Sequence, residues 1–206
     1  MVAILASVSY PALAHGTDTA RASGCTATMR RLASAVLAYT TDNAGAFPRS
    51  SHSAGAYGEP GWARSILPYL GEEPSPPLSR WRQIQQRVFH CRSDTKRASG
   101  LSYGINVYFE LDPGYDDYPG APQTWRRVAS LARPSRTLLL AEVPSSADHV
   151  MSHFWEAGGS GGDVAGVRHQ GRANYAFADG HTERLTPREV YDADTGLDLW
   201  NPSLAR

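Results

Sequence analysis

Residues 173–185 read ANYAFADGHTERL. Two runs of strand character flank Asp179-Gly180, and an Asp-Gly pair in that setting predicts a β-hairpin closed by a two-residue type I′ turn. With such a turn Phe177 pairs with Thr182 and Tyr175 with Arg184. Tyr175, Phe177 and Thr182 then share the core-facing side. Further strands are predicted upstream at 88–91, 101–109 and 137–143, where Tyr, Phe, Val and Leu suit half-buried β-structure.

The other fold-determining stretch is residues 23–39, SGCTATMRRLASAVLAY. Met29, Leu32, Ala33, Val36 and Leu37 recur at helical spacing on one face, with Arg30, Arg31 and Ser34 opposite. Asp42-Asn43-Ala44-Gly45 supplies residues that tolerate a left-handed helix end. Residues 49–61 read as a loop. Residues 62–70 read as one or two helical turns broken near Pro68, and 80–88 as a short helix or a strand lead-in. A Gly-rich segment within 144–168 reads as an exposed loop. The order of helix, short elements and strands predicts an α+β fold, a long N-terminal helix packed on a small antiparallel sheet with extended loops.

Twenty basic residues balance twenty acidic ones, and this neutrality argues against nucleic acid as a partner. Apolar residues at 41% suffice for a buried core. Residues 2–14, VAILASVSYPALA, carry no charge. As a helix they span roughly 20 Å, short of the roughly 30 Å hydrocarbon layer. The segment reads either as a signal peptide ending in Ala12-Leu13-Ala14 or as the distal part of a longer membrane helix. Residues 1–22 are therefore expected to be an apolar N-terminal helix segment and 23–206 the head domain.

Five segments in order resemble one family. Ala3-Ile4-Leu5-Ala6 through Pro11-Ala12-Leu13 is similar to the distal half of a prepilin helix. Cys25 with Leu32, Tyr39, Asp42-Asn43, Gly45 and Phe47-Pro48 resembles a "C…L…Y…DN.G.FP" stretch. Trp62 with Leu67-Pro68-Tyr69-Leu70-Gly71 resembles "W…LPYLG", and Phe89-His90-Cys91-Arg92-Ser93-Asp94 resembles "F.CPSD". His169 and Asp179-Gly180, with nine residues between them, match an H-x9-DG signature preceded by Pro134-Ser135-Arg136-Thr137-Leu138. The chain thus resembles the pilin-like proteins with a prepilin-type N-terminus and a C-terminal H-x9-DG domain, related in outline to type II secretion pseudopilins. The resemblance implies a non-enzymatic subunit with its head outside the cytoplasm. Its partners would be other pilin-like subunits or a secretion or pilus assembly, and the membrane through the N-terminal helix. The family's "G-FTLIE" processing motif is absent. The expectation is a start within the corresponding helix or a member that has lost the processing site.

Candidate chemistry is sparse. There is no phosphate-binding glycine loop, GxSxG elbow or paired-carboxylate motif. His149 and His153 stand at i, i+4, a zinc-like spacing on a helix. Together with His169, His181, Asp179, Glu142 and Asp163 they are the residues an exported metal-dependent enzyme would use. The preferred reading is structural: His169 at the open end of the hairpin, bonded to loop backbone, and Asp179 setting its turn. Asp192, Asp194 and Asp198, and also Asp112, Asp116 and Asp117, form loose acidic groups. Pseudopilins often hold calcium, so the resemblance makes these weak calcium candidates; neither group has the spacing of a calcium loop. Cys25 and Cys91 are either bridged, which would stabilise the fold by about 2–4 kcal/mol, or two separate buried thiols. A third reading of function is a soluble exported binding module.

Overall fold

The structure, a computed structural model, describes residues 2–95, 100–111, 125–144, 147–155, 163–166 and 168–205, and of residues 2–17 the backbone alone. Helix α1 (Val2–Asp42) opens the chain. The boundary expected after residue 22 falls inside it without a break. Its buried stripe is Cys25, Met29, Leu32, Ala33 and Val36, with Leu37 half-buried and Arg30, Arg31 and Ser34 exposed. This is the face that the apolar spacing predicts. The helix ends where Ala44 and Gly45 turn left-handed, at φ 53° and 79°. Among the described residues no helix is long and apolar enough to cross a membrane.

Short helices follow: α2 (Ser51–Ala54), α3 (Trp62–Ser65) and α4 (Leu78–Val88). In α4, Trp81, Ile84 and Val88 are buried at i, i+3 and i+7, which selects a helix over a strand. The strand expected at 88–91 does not form. Phe89 still donates its N–H to Gln85, and the chain then turns through an Asp94 N–H to Cys91 carbonyl bond of 2.8 Å. The apolar run there is a helix end and a buried turn rather than an alternating strand.

The main sheet contains β1 (Tyr103–Asn106), β2 (Leu138–Glu142), β3 (His149–Val150), β4 (Ala173–Phe177) and β5 (Thr182–Leu185), in the order β3-β1-β2-β4-β5. All pairs are antiparallel except β1 with β3, a parallel pairing that the expected antiparallel sheet did not contain. Strand β1 gives way to a 3₁₀ turn at Val107–Phe109, where the Asn106 side chain accepts the Tyr108 N–H. A small helix α5 (Pro187–Val190) leads into a two-stranded sheet of β6 (Tyr191–Asp192) and β7 (Leu197–Asp198).

Both faces of the main sheet are covered. Tyr103, Glu142 and Asn174 occupy the side toward α1, where Thr26 bonds Asn174. Tyr175 occupies the other side against Trp200, with ring centroids 6.2 Å apart. Asn106 ties that cover down by donating to the carbonyls of Leu138 and Trp200, both at 2.8 Å. All five residues of β4 are buried.

The hairpin exists, but its turn is one residue longer than expected. The register is Tyr175 with Glu183 and Ala176 with Thr182. The loop is Ala178-Asp179-Gly180, closed by a Gly180 N–H to Phe177 carbonyl bond and a Phe177 N–H to His181 carbonyl bond, both 2.9 Å. Only Gly180 has positive φ, at 94°, so the closure is a type I turn with a glycine bulge. Thr182 accordingly lies on the side of Ala176 and the helix, half-buried near Arg30, and does not share a side with Tyr175 and Phe177.

Leu32→Ala should lower unfolding free energy by about 2–5 kcal/mol in chemical denaturation, because the removed side chain is fully buried between helix and sheet. Gly180→Val should cost about 1–3 kcal/mol, since its φ disfavours a branched residue and a Cβ would sit 3.1 Å from Leu37 Cδ1. Asp179→Asn at the same exposed turn should stay within about 0.5 kcal/mol of the parent.

Candidate functional site

Four separate segments bring one buried group together: Cys25, Cys91, Glu142 and His169. Cys25 is part of the buried stripe of α1, one turn before Met29. Cys91 sits in the turn that follows α4. Glu142 is the last residue of β2, aimed at the helix by strand alternation. His169 lies in the turn before β4, where Gln170 and Gly171 adopt φ of 60° and 82° and the His169 N–H reaches the Arg172 carbonyl. Among the described residues this is the only place where three or more His, Cys, Asp or Glu side chains converge at ligand spacing. The four donor atoms lie within 4.8 Å of one another.

His169 Nε2 stands 2.9 Å from Glu142 Oε1 and 3.7 Å from Cys91 Sγ. Glu142 has no exposed surface and is held on its other side by Asn174, whose backbone N–H donates to Oε2 at 2.8 Å and whose amide donates to Oε1 at 3.1 Å. Thr26 Oγ1 in turn donates to Asn174 Oδ1 at 2.6 Å, fixing that amide's orientation from the helix. A pocket of about 370 Å³, lined by Arg21, Arg92, Arg168 and Arg184 among others, reaches His169 from outside.

The electrostatics separate the two thiols. The hydrogen bond from Cys91, followed by the contact with His169, outweighs burial and lowers Cys25 to about 5. The same bond, with burial and the charge of Glu142, pushes Cys91 far up. Burial opposes a charged His169, but Cys25 and Glu142 outweigh it and raise the imidazole to about 9. Burial, with the neighbouring thiols and Glu142, also raises Tyr103 well above its ordinary value. Of the two thiols Cys25 is the one favoured as the thiolate, and His169 holds its proton more tightly than an ordinary imidazole.

The remaining candidates disperse. Asp179 lies at the hairpin turn, at the far end of β4 from His169, where its carboxylate accepts the His181 N–H and pairs with the His181 ring. His169 therefore does not bond loop backbone through its ring, as the structural reading expected; its ring faces a carboxylate and a thiol. His149 in β3 pairs with Asp148 at 2.9 Å, while His153 lies in a 3₁₀ turn, so the i, i+4 spacing is not helical. Asp163 accepts from Trp155 Nε1. Asp192 and Asp194 both pair with Arg188, and Asp198 accepts the N–H groups of Trp200 and Asn201. These three acids serve a salt bridge and a turn and do not converge on a cation. Asp112, Asp116 and Asp117 lie outside the described residues. Cys25 and Cys91 are free thiols, adjacent rather than separate. Asn174 and Thr26 were not singled out from sequence. The signal for Thr26 was its place beside Cys25 on the buried edge of the helix.

Compared with known protein families, curated proteins and solved structures, the chain matches none.

Cys25 and His169 set a pH window. The share from Cys25, whose folded value is lowered, is lost as pH falls through about 5. The share from His169, whose folded value is raised, is complete below its ordinary value and lost as pH rises through about 9. Both charges coexist only between those limits. In reduced, chelator-treated protein, ultraviolet thiolate absorbance should therefore vanish with a midpoint near 5 and be absent from Cys25→Ser. A thiol that ionises only at its ordinary value would contradict the pairing.

Proposed function

We propose that the protein is a non-enzymatic, pilin-like extracytoplasmic subunit, held at a membrane or assembled with like subunits through the N-terminal part of α1. One observation supports this reading: residues 18–21 of α1 are exposed, while Ala22 and Cys25 are already buried. The uncharged run at residues 2–14 precedes that turn on the same helix. An apolar helical segment ahead of an exposed turn gains most from a bilayer interior or from equivalent helices of other copies. The segment is shorter than a full span, which favours packing among like helices or partial insertion. The head fits a subunit role, since its most chemically loaded cluster is buried under α1. An enzyme built jointly on His169 and Asp179 finds no support, because they occupy opposite ends of β4.

The test is cell fractionation and sizing of the full chain beside a Leu5→Arg/Leu13→Arg variant. The parent should sediment with membranes or as a higher-order assembly, and its head should be accessible to protease added to spheroplasts. The variant should become soluble and monomeric while keeping a cooperative thermal melt, because a charge at each position opposes burial of the uncharged run in a bilayer or among like helices. A parent chain that is soluble and monomeric would remove the reading.

A further inference from the structure

We propose that Cys25, Cys91, Glu142 and His169 form a closed, four-coordinate structural site for a zinc-class divalent cation. Nothing in the subunit reading requires it, and it stands on geometry alone. Two thiolates, an imidazole and a carboxylate are the donor types that tetrahedral zinc takes.

The spacing matches the coordination polyhedron. Ligands at about 2.3 Å for sulfur and 2.0–2.1 Å for nitrogen or oxygen place tetrahedral neighbours roughly 3.3–3.8 Å apart. The observed separations are 3.7 Å between Cys91 Sγ and His169 Nε2 and 2.9 Å between His169 Nε2 and Glu142 Oε1, with all donors inside 4.8 Å. Closing onto a cation requires adjustments of less than an ångström in the Cys91–His169 and His169–Glu142 separations. An outer shell is already built. Asn174 fixes the carboxylate through two hydrogen bonds and is itself fixed by Thr26, the kind of support that orients metal ligands.

The competing use of the two cysteines is a disulfide. A bridge explains two of the four residues and leaves Glu142 and His169 as a buried pair beside it. A cation uses all four and meets the negative charge of Glu142 and two thiolates with its own. Binding is balanced: the thiols bind as thiolates and His169 as neutral imidazole, their protons pass to water, and no electrons move. With four protein donors and no open position the site is structural. It ties together α1, the turn after α4, the end of β2 and the turn before β4.

The experiment uses the full chain, purified reduced and without chelator, followed by elemental analysis and replacement of the metal by Co²⁺. The expected result is one zinc per chain and a cobalt protein with intense visible bands and thiolate-to-metal charge transfer. Cys91→Ser should remain folded by circular dichroism, weaken zinc binding by about tenfold or more, and lose part of the charge-transfer intensity. Should that variant fail to fold, the cobalt spectrum of the parent decides alone, since it needs no substitution. Three results overturn the proposal: no uptake of zinc or cobalt by the reduced parent, a weak octahedral cobalt spectrum, or a Cys25–Cys91 disulfide in protein recovered from the cell envelope.

Discussion

Glu142 carries a carboxylate with no exposed surface, and the arrangement around it depends on answering that charge. An isolated buried carboxylate is prohibitively costly, so its oxygens must be met from within. Asn174 meets them from the neighbouring strand and His169 from the turn before it. Each answer fixes something larger. The Asn174 backbone bond anchors the start of β4 beside the end of β2. Its amide, held by Thr26, sets the position of α1 across the sheet. The His169 contact pins the turn that launches β4, including the unfavourable positive φ of Gln170. A substitution that removed the charge alone would leave His169, Asn174 and two thiols facing one another with fewer partners.

Helix α1 joins two environments. From Ala22 onward its stripe belongs to the core, packed on β4, β5 and β2. Residues 18–21 before it are exposed. The five strands are no longer than five residues, so the sheet contributes little core unless both faces are covered. The helix covers one face. The segment carrying Trp200 covers the other, with Trp155 and Tyr175 edge-on to Trp200 and Tyr191 edge-on to Trp155. Gly104 marks the tightest point of that construction: a Cβ there would lie 2.7 Å from Val143 Cγ1 and 3.0 Å from the His149 backbone nitrogen. Its neighbour β3, two residues long and paired in parallel, can approach β1 because nothing projects from this position.

What was legible in the sequence divides along a physical line. The buried face of α1 was readable because a helix repeats its environment every 3.6 residues, and 29, 32, 33 and 36 declare it. Strands β2, β4 and β5 were readable within a residue or so for the same kind of reason. The hairpin register was not. Phe-Ala-Asp-Gly-His fits both a two-residue type I′ turn and a three-residue turn with a glycine bulge, and only the packing beneath distinguishes them. The observed register sends Thr182 toward Arg30 and leaves Tyr175 to Trp200, contacts from 150 residues away and from the far C-terminus. The strand expected at 88–91 failed because a buried helix end and a buried strand look alike over four residues. Cys25, Cys91 and His169 were each visible as residues of interest. Their convergence was not, because it is created by the order β1-β2-β4 with a helix laid across it, and no local pattern encodes that order.

The position of the cluster bears on the reading of α1 as a stalk. Ala22 is the first buried residue of the described helix side chains, and Cys25 and Thr26 follow within one turn. A pull or a tilt applied to the free end of the helix therefore reaches the head first at these residues. Apolar packing alone resists such a load poorly at its margin, because dispersion contacts are non-directional and each is worth only about 0.1–0.2 kcal/mol. Cys25 and Thr26 instead meet groups rooted in other elements: Cys91 after α4, Asn174 in β4, and through it Glu142 in β2. The point where the helix enters the head is thus the point where directional contacts to three other segments are concentrated. A subunit that works through its helix needs its strongest cross-tie there.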